Sequence, residues 1–294
     1  MSSPKVVLFV ALGLIAAVFL VAWWRAHRAR PAGASPGGFP TRWELFVGVV
    51  TNFFDTLGIG SFAPTTSAWK LRHTMSDERI PGSLNVGHTL PVMTQAFIFI
   101  AVVEVGSATL VSMIAAAVAG AWLGAGIVAG MPRRRIQIGM GIALLAAATF
   151  FAMTNLQLFP GGGDATSLAG VRLGVGVAVS FVLGSLMTLG IGMYAPCMIL
   201  VALLGMNPRV AFPIMMGSCA FLMPVAGMRF LQRGSYDPRA SLGLTLGGVP
   251  AVLAAAFIVK SLPLVTLRWG VVAVVLYTAV LMLRSAVRER RAGV

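Results

Sequence analysis

The chain reads as long apolar runs cut by short polar ones. Runs of about twenty mostly apolar residues fall at 6–24, 84–103, 107–130, 135–156, 211–230, 241–260 and 266–284. A helix needs about 20 such residues to cross the hydrocarbon core of a bilayer. The pattern predicts an all-α polytopic membrane protein. The first run ends in WWRAHRAR rather than in a small-residue cleavage site, which predicts a retained N-terminal transmembrane anchor over residues 1–30. The following PAGASPGGFP opens a Pro/Gly linker, 31–43, that sets this anchor apart.

Two stretches break the apolar pattern in the same way. TLGIGSFAP (56–64) and TLGIGMYAP (188–196) share seven of nine residues and lie 132 positions apart. With them in register, Gly87 of GSLNVGHT (82–89) matches Gly217 of PIMMGSCA (213–220), and Gly120 of AGAWLGAG matches Gly247 of LGGVPAVL. Met131-Pro132 and Leu262-Pro263 then each lead into another apolar run. The chain divides into a first repeat (44–157), an inter-repeat linker (158–171), a second repeat (172–286) and a basic cytoplasmic tail (287–294). Duplicated halves are common in secondary transporters.

Charge decides how the glycine stretches meet the membrane. The net charge is +14, but Lys and Arg sit in clusters between the apolar runs and not along one face, which argues topology and excludes a nucleic-acid surface. Suppose the TLGIG segments enter and return on one side, and the anchor runs from outside to inside. Then 17 of the 22 Lys/Arg fall in cytoplasmic segments, as the positive-inside rule requires. If both segments cross fully, the better orientation splits the 22 into 12 and 10, which is no bias. The expected architecture is an inverted repeat of two units, each a re-entrant Gly-broken hairpin plus three transmembrane helices, behind the extra anchor. It sits in the cell membrane, with the N-terminus outside and the C-terminus cytoplasmic. A charged fraction of 10%, against about 25% in soluble domains, agrees. A homo-oligomer is compatible with this pattern.

The glycine turns carry the candidate chemistry. A bend inside lipid strands N–H and C=O groups, so it persists only where protein or a water-filled cavity surrounds it. Gly58, Gly60, Gly190 and Gly192 permit a bare backbone turn, and Pro64 and Pro196 suit the first turn of a restarting helix. A helix start in a dry cavity points free N–H groups and a positive dipole end inward, which makes an anion site. Thr56 and Thr188 are equivalent and are the first candidates for hydroxyl donors to a bound oxyanion. Asn52, Ser61, Thr65, Asn85 and Ser218 are further polar candidates. Asp55 is an acid inside an apolar segment, the usual mark of an ion pathway or proton relay. His88 is its candidate partner for proton coupling. Cys197 and Cys219 read as packing residues, no Cys/His spacing suggests a metal, and no cofactor motif is present.

The double glycine motif followed by proline, the AGMPRRR turn (129–135) and AFPIMMGS (211–218) resemble the sulfite exporter TauE/SafE family of permeases, also called TSUP, over roughly 44–286. The resemblance implies a plasma-membrane carrier for small sulfur-containing anions such as sulfite, thiosulfate, sulfoacetate or other organosulfonates. It also implies that the glycine turns, with Thr56 and Thr188, face the substrate. The expected function is thus a secondary transporter working by alternating access, with a proton as the candidate coupled ion. An anion channel built on the same facing helix starts is the alternative. An intramembrane enzyme is disfavoured, because paired catalytic acids, HExxH, a GxSxG elbow between a strand and a helix, and a Cys/His cluster are all missing.

Overall fold

The computed structural model describes residues 3–29, 38–158, 161–190, 192–258 and 264–291. Most of the 31–43 linker, the Leu262-Pro263 turn and the end of the basic tail lie outside the described residues. The helices in chain order are α1 (Ser3–Arg28), α2 (Arg42–Thr56), α3 (Phe62–Leu71), α4 (Ile80–Gly87), α5 (Thr89–Val102), α6 (Ser107–Val128), α7 (Arg133–Asn155), α8 (Gly170–Met187), α9 (Tyr194–Leu203), α10 (Ala211–Arg233), α11 (Pro238–Ile258) and α12 (Leu264–Arg291). Among the described residues, seven helical segments are long and apolar enough to cross a membrane. The number equals the expected one but the membership differs. Gly170–Met187, expected as one arm of the second hairpin, is itself long enough. The expected 266–284 run is the 28-residue α12, whose first side chains lie outside the described residues.

Each TLGIG stretch is a turn between two helices. α2 begins with a capping box, in which Thr41 accepts from Glu44 N–H and Glu44 accepts from Thr41 N–H at 2.6 Å. It stops at Gly58 and Gly60, with φ of 93° and 85°, as α8 stops before Gly190 with φ of 100°, a region closed to most side chains. The helices restart with Pro64 and Pro196 at the third position of α3 and α9, inside the first turn, where a missing N–H costs nothing.

Both turns bring the chain back to the pole it came from. At the start of α2, Trp43 lies under the guanidinium of Arg72, just past the end of α3, at 4.2 Å. Glu44 pairs there with Arg239 at 2.9 Å, Arg133 lies 3.8 Å from Asp77, and Ser235 Oγ donates to Ala129 O. This is a basic pole. At the opposite pole, before α8 and after α9, Asn207 N–H donates to Ala165 O and Gly163 N–H to Met206 O. Gly106 N–H donates to Thr166 O, and Lys5 Nζ reaches Ala101 O, at the same pole.

Packing is mostly between the halves. α2 lies along α11, α6 along α8, and α7 along α12. The small-residue rows make these contacts close. A Cβ on Gly120 would strike the Phe181 carbonyl, one on Gly184 the Ala117 carbonyl, and one on Gly247 the Leu45 carbonyl. At the centre, α4 and α5 run antiparallel to α10: Gly82 abuts Phe230, the Asn85 carbonyl abuts Gly227, and Phe99 stacks on Phe212 at 5.7 Å. α1, expected to stand apart, packs on α5 and α10, with Leu12 and Phe19 fully buried and Phe9 stacked on Phe97.

Candidate functional site

The two glycine turns meet across one cavity of about 130 Å³. Gly58, Gly60, Phe62 and Ala63 line it from the first turn, and Gly192, Tyr194 and Ala195 from the second. The first N–H groups of α3 and α9 have no partner one turn back, because each helix starts there. Two helix N-termini therefore bound one space. The remaining wall is Ala147, Phe150, Phe151 and Thr154 of α7 with Phe212 of α10. These belong to the half of α7 nearer the opposite pole, so the cavity is displaced away from the basic end. A single water needs about 10–15 Å³ on this measure, so the space suits a small anion with part of its hydration shell.

A second, smaller space of about 30 Å³ adjoins the first and shares Gly60, Phe62, Gly192 and Tyr194 with it. Asp55, Ser61 and Gln95 stand on one part of its wall, and Val92, Cys219 and four methionines between Met187 and Met216 form much of the rest. The Asp55 carboxylate accepts from Gln95 Nε2 at 2.9 Å, and the Ser61 hydroxyl and N–H face the same group. No Lys or Arg among the described residues pairs with it. Lys70, 15 positions along the chain, is bound to Asp77.

The other sequence-predicted residues fall into two sets. One is joined to the Asp55 pocket by hydrogen bonds. Gln95 Nε2 donates also to Thr56 Oγ1 at 3.0 Å, and Thr56 donates to Asn52 O at 2.9 Å. Asn52 Oδ1 lies 2.8 Å from His88 Nδ1, and the Thr65 hydroxyl 3.1 Å from His88 Nε2. Because Asn52 Nδ2 is spent on Gly48 O at 2.7 Å, its Oδ1 takes the His88 Nδ1–H and Nε2 accepts from Thr65. Both ring nitrogens are thus engaged, and His88 meets Asn52 and Thr65, not Asp55.

The second set lies away from either cavity. Thr188 is fully buried and donates to Ser185 O at 2.7 Å, so it does not mirror Thr56 at the pocket edge. Gly190 packs near Met140 and Leu84, and Asn85 Nδ2 donates to Pro81 O at 2.9 Å. Ser218 is fully buried on α10, its hydroxyl without a partner.

Sequence reasoning did not place Gln95 in the site. Its signal was a lone amide between Thr94 and the AFIFIA run. The aromatic wall from α7 and α10 had no comparable signal, since any apolar helix carries such residues. Comparison of the chain with family models, curated proteins and solved structures finds no match.

Proposed function

We propose that this chain is a secondary carrier for a small anion, bound between the starts of α3 and α9 and moved by alternating access of two inverted units. The observation that carries the reading is the cavity of about 130 Å³ bounded by both glycine turns. Paired helix N-termini supply N–H donors and positive dipole ends with no fixed cation, so the site attracts an anion without holding it too tightly to release. Support for the inverted arrangement comes from the two turns returning to opposite poles and from the antiparallel run of α4–α5 against α10. In a bilayer these become re-entrant hairpins whose tips meet near the midplane.

The substrate class follows from the motif resemblance to TauE/SafE permeases: sulfite, thiosulfate, sulfoacetate or another organosulfonate. Asp55 is the coupling group, one shared wall away from the anion. Purified protein in liposomes preloaded with unlabelled sulfite or thiosulfate should accelerate uptake of the labelled anion, and the rate should saturate. Anion flux that never saturates and shows no exchange would replace the carrier with a channel. No flux of sulfite, thiosulfate, sulfate, sulfoacetate or taurine would end the anion reading.

A further inference from the structure

The carboxylate of Asp55 sets a problem that its surroundings answer. It is 5% exposed in a pocket walled otherwise by Phe62, Val92 and methionines, and a lone buried charge is held only with a partner. Cys219 and Tyr194 are the other ionisable wall residues, and neither is a cation. Gln95, fully buried, gives its amide N–H to the carboxylate and to Thr56, which leaves Oε1 in the same pocket wall with no partner. Ser61, at the break before α3, donates its hydroxyl and its N–H to the carboxylate, and its oxygen keeps its lone pairs. Residues carrying oxygens of three chemical kinds thus line one space of about 30 Å³, enough for an ion or one to two waters.

We propose that this pocket is a binding site for a monovalent alkali cation of the sodium class, held by Asp55, Ser61 and the Gln95 amide oxygen. One carboxylate balances one positive charge; a divalent ion would leave net charge in a dry site and calls for more carboxylates. Carboxylate, amide and hydroxyl oxygens are hard donors that suit a hard ion. Breaks in membrane helices, where carbonyls come free, are where transporters hold such ions. The inference deepens the carrier reading and rests on it for the ion's role. With Asp55 uncompensated, its charge repels an anion in the adjoining cavity. A cation there removes that repulsion, so each ion raises the other's affinity by the same factor.

The test uses purified full-length protein in detergent, titrated with sodium against choline at constant ionic strength. A sodium-specific, saturable rise in Tm is expected, moving to higher sodium as the pH falls and protons compete for the carboxylate. Asp55→Asn should abolish it, and Gln95→Leu should raise half-saturating sodium at least tenfold. Sodium should tighten sulfite or thiosulfate binding, and either anion should tighten sodium binding by the same fold. Equal effects of sodium and choline at every pH, or a sodium effect retained in Asp55→Asn, would overturn the site. If either variant fails to fold, the wild-type comparison of sodium with choline across pH still decides. Saturable anion exchange with no sodium effect sinks this inference and leaves the carrier standing. Sodium-specific stabilisation without any anion flux does the reverse.

Discussion

Replacing Lys70 by Met tests whether the basic pole is held by a buried ion pair. Lys70 Nζ lies 2.6 Å and 2.8 Å from the two Asp77 oxygens, and the side chains are only 9% and 4% exposed. Removing one partner of such a pair costs about 3–5 kcal/mol, because the remaining charge is left buried and unpaired. Two groups reduce that cost here. Gln137 Nε2 still donates to Asp77 at 2.9 Å, and Arg133, half exposed, stays at 3.8 Å. An exposed cation at that range returns about 1 kcal/mol at most. The net expectation is a loss of roughly 2–4 kcal/mol, or roughly 5–15 °C in Tm for a chain of this size. The double variant Lys70→Met, Asp77→Asn removes the stranded charge and should recover to within about 1 kcal/mol of the parent. Thermal unfolding of the purified proteins in one detergent measures all three. A Lys70→Met protein within about 1 kcal/mol of the parent, or a double variant as unstable as the single, would refute the buried-pair argument.

Three further predictions concern packing, the cavity and topology. Gly120→Val drives a side chain into the Phe181 carbonyl and should abolish a monodisperse preparation, whereas Gly126→Ala meets open space and should elute as the parent does on gel filtration. Ala147→Phe projects into the cavity wall and should abolish anion exchange while Tm changes little; exchange at the parental rate would show that the cavity is not the route. With Cys197 and Cys219 replaced, single cysteines at Phe39 and Thr74, which flank the first hairpin, should both label from the cytoplasm. Labelling of the two from opposite faces would end the re-entrant reading.

Much of this fold was legible in the sequence because bilayer helices are bounded by simple physics. Apolar length located α6, α7, α10 and α11 to within a few residues. The paired glycines and prolines located the turns, since few other residues tolerate positive φ or a missing N–H there. Partner choice was not legible. AGAWLGAG announces a face where backbones come close, but nothing local tells that Gly120 meets α8 of the other half. The break at His88 between α4 and α5 was also hidden, because it is stabilised by Asn52, 36 positions away. The candidate site divides the same way. Asp55 stood out by its charge, while Gln95 gains meaning only from the carboxylate beside it.

The two poles are closed by different means, and the cavity's position follows from that difference. At the basic pole, α3 is tied by the buried Lys70–Asp77 pair, and Trp69, Ile80 and Leu84 fill the space beneath with at most 1% exposure each. With the two copies in register, the positions of Lys70 and Asp77 correspond to Ala202 and Arg209, which cannot form such a pair. The opposite pole is joined instead by backbone hydrogen bonds between the 163–166 loop and its neighbours and by the stacked Phe99 and Phe212. Between the two repeats themselves, the basic pole is joined by the buried Glu44 and Arg239 at 2.9 Å. Separating backbone hydrogen bonds that water can replace costs less than stranding that carboxylate. On the carrier reading, the opposite pole is therefore the one that opens first, and the cavity already leans toward it through Phe151 and Thr154. On the same reading, opening the basic side parts Glu44 from Arg239, and the energy for that step comes from the bound ions.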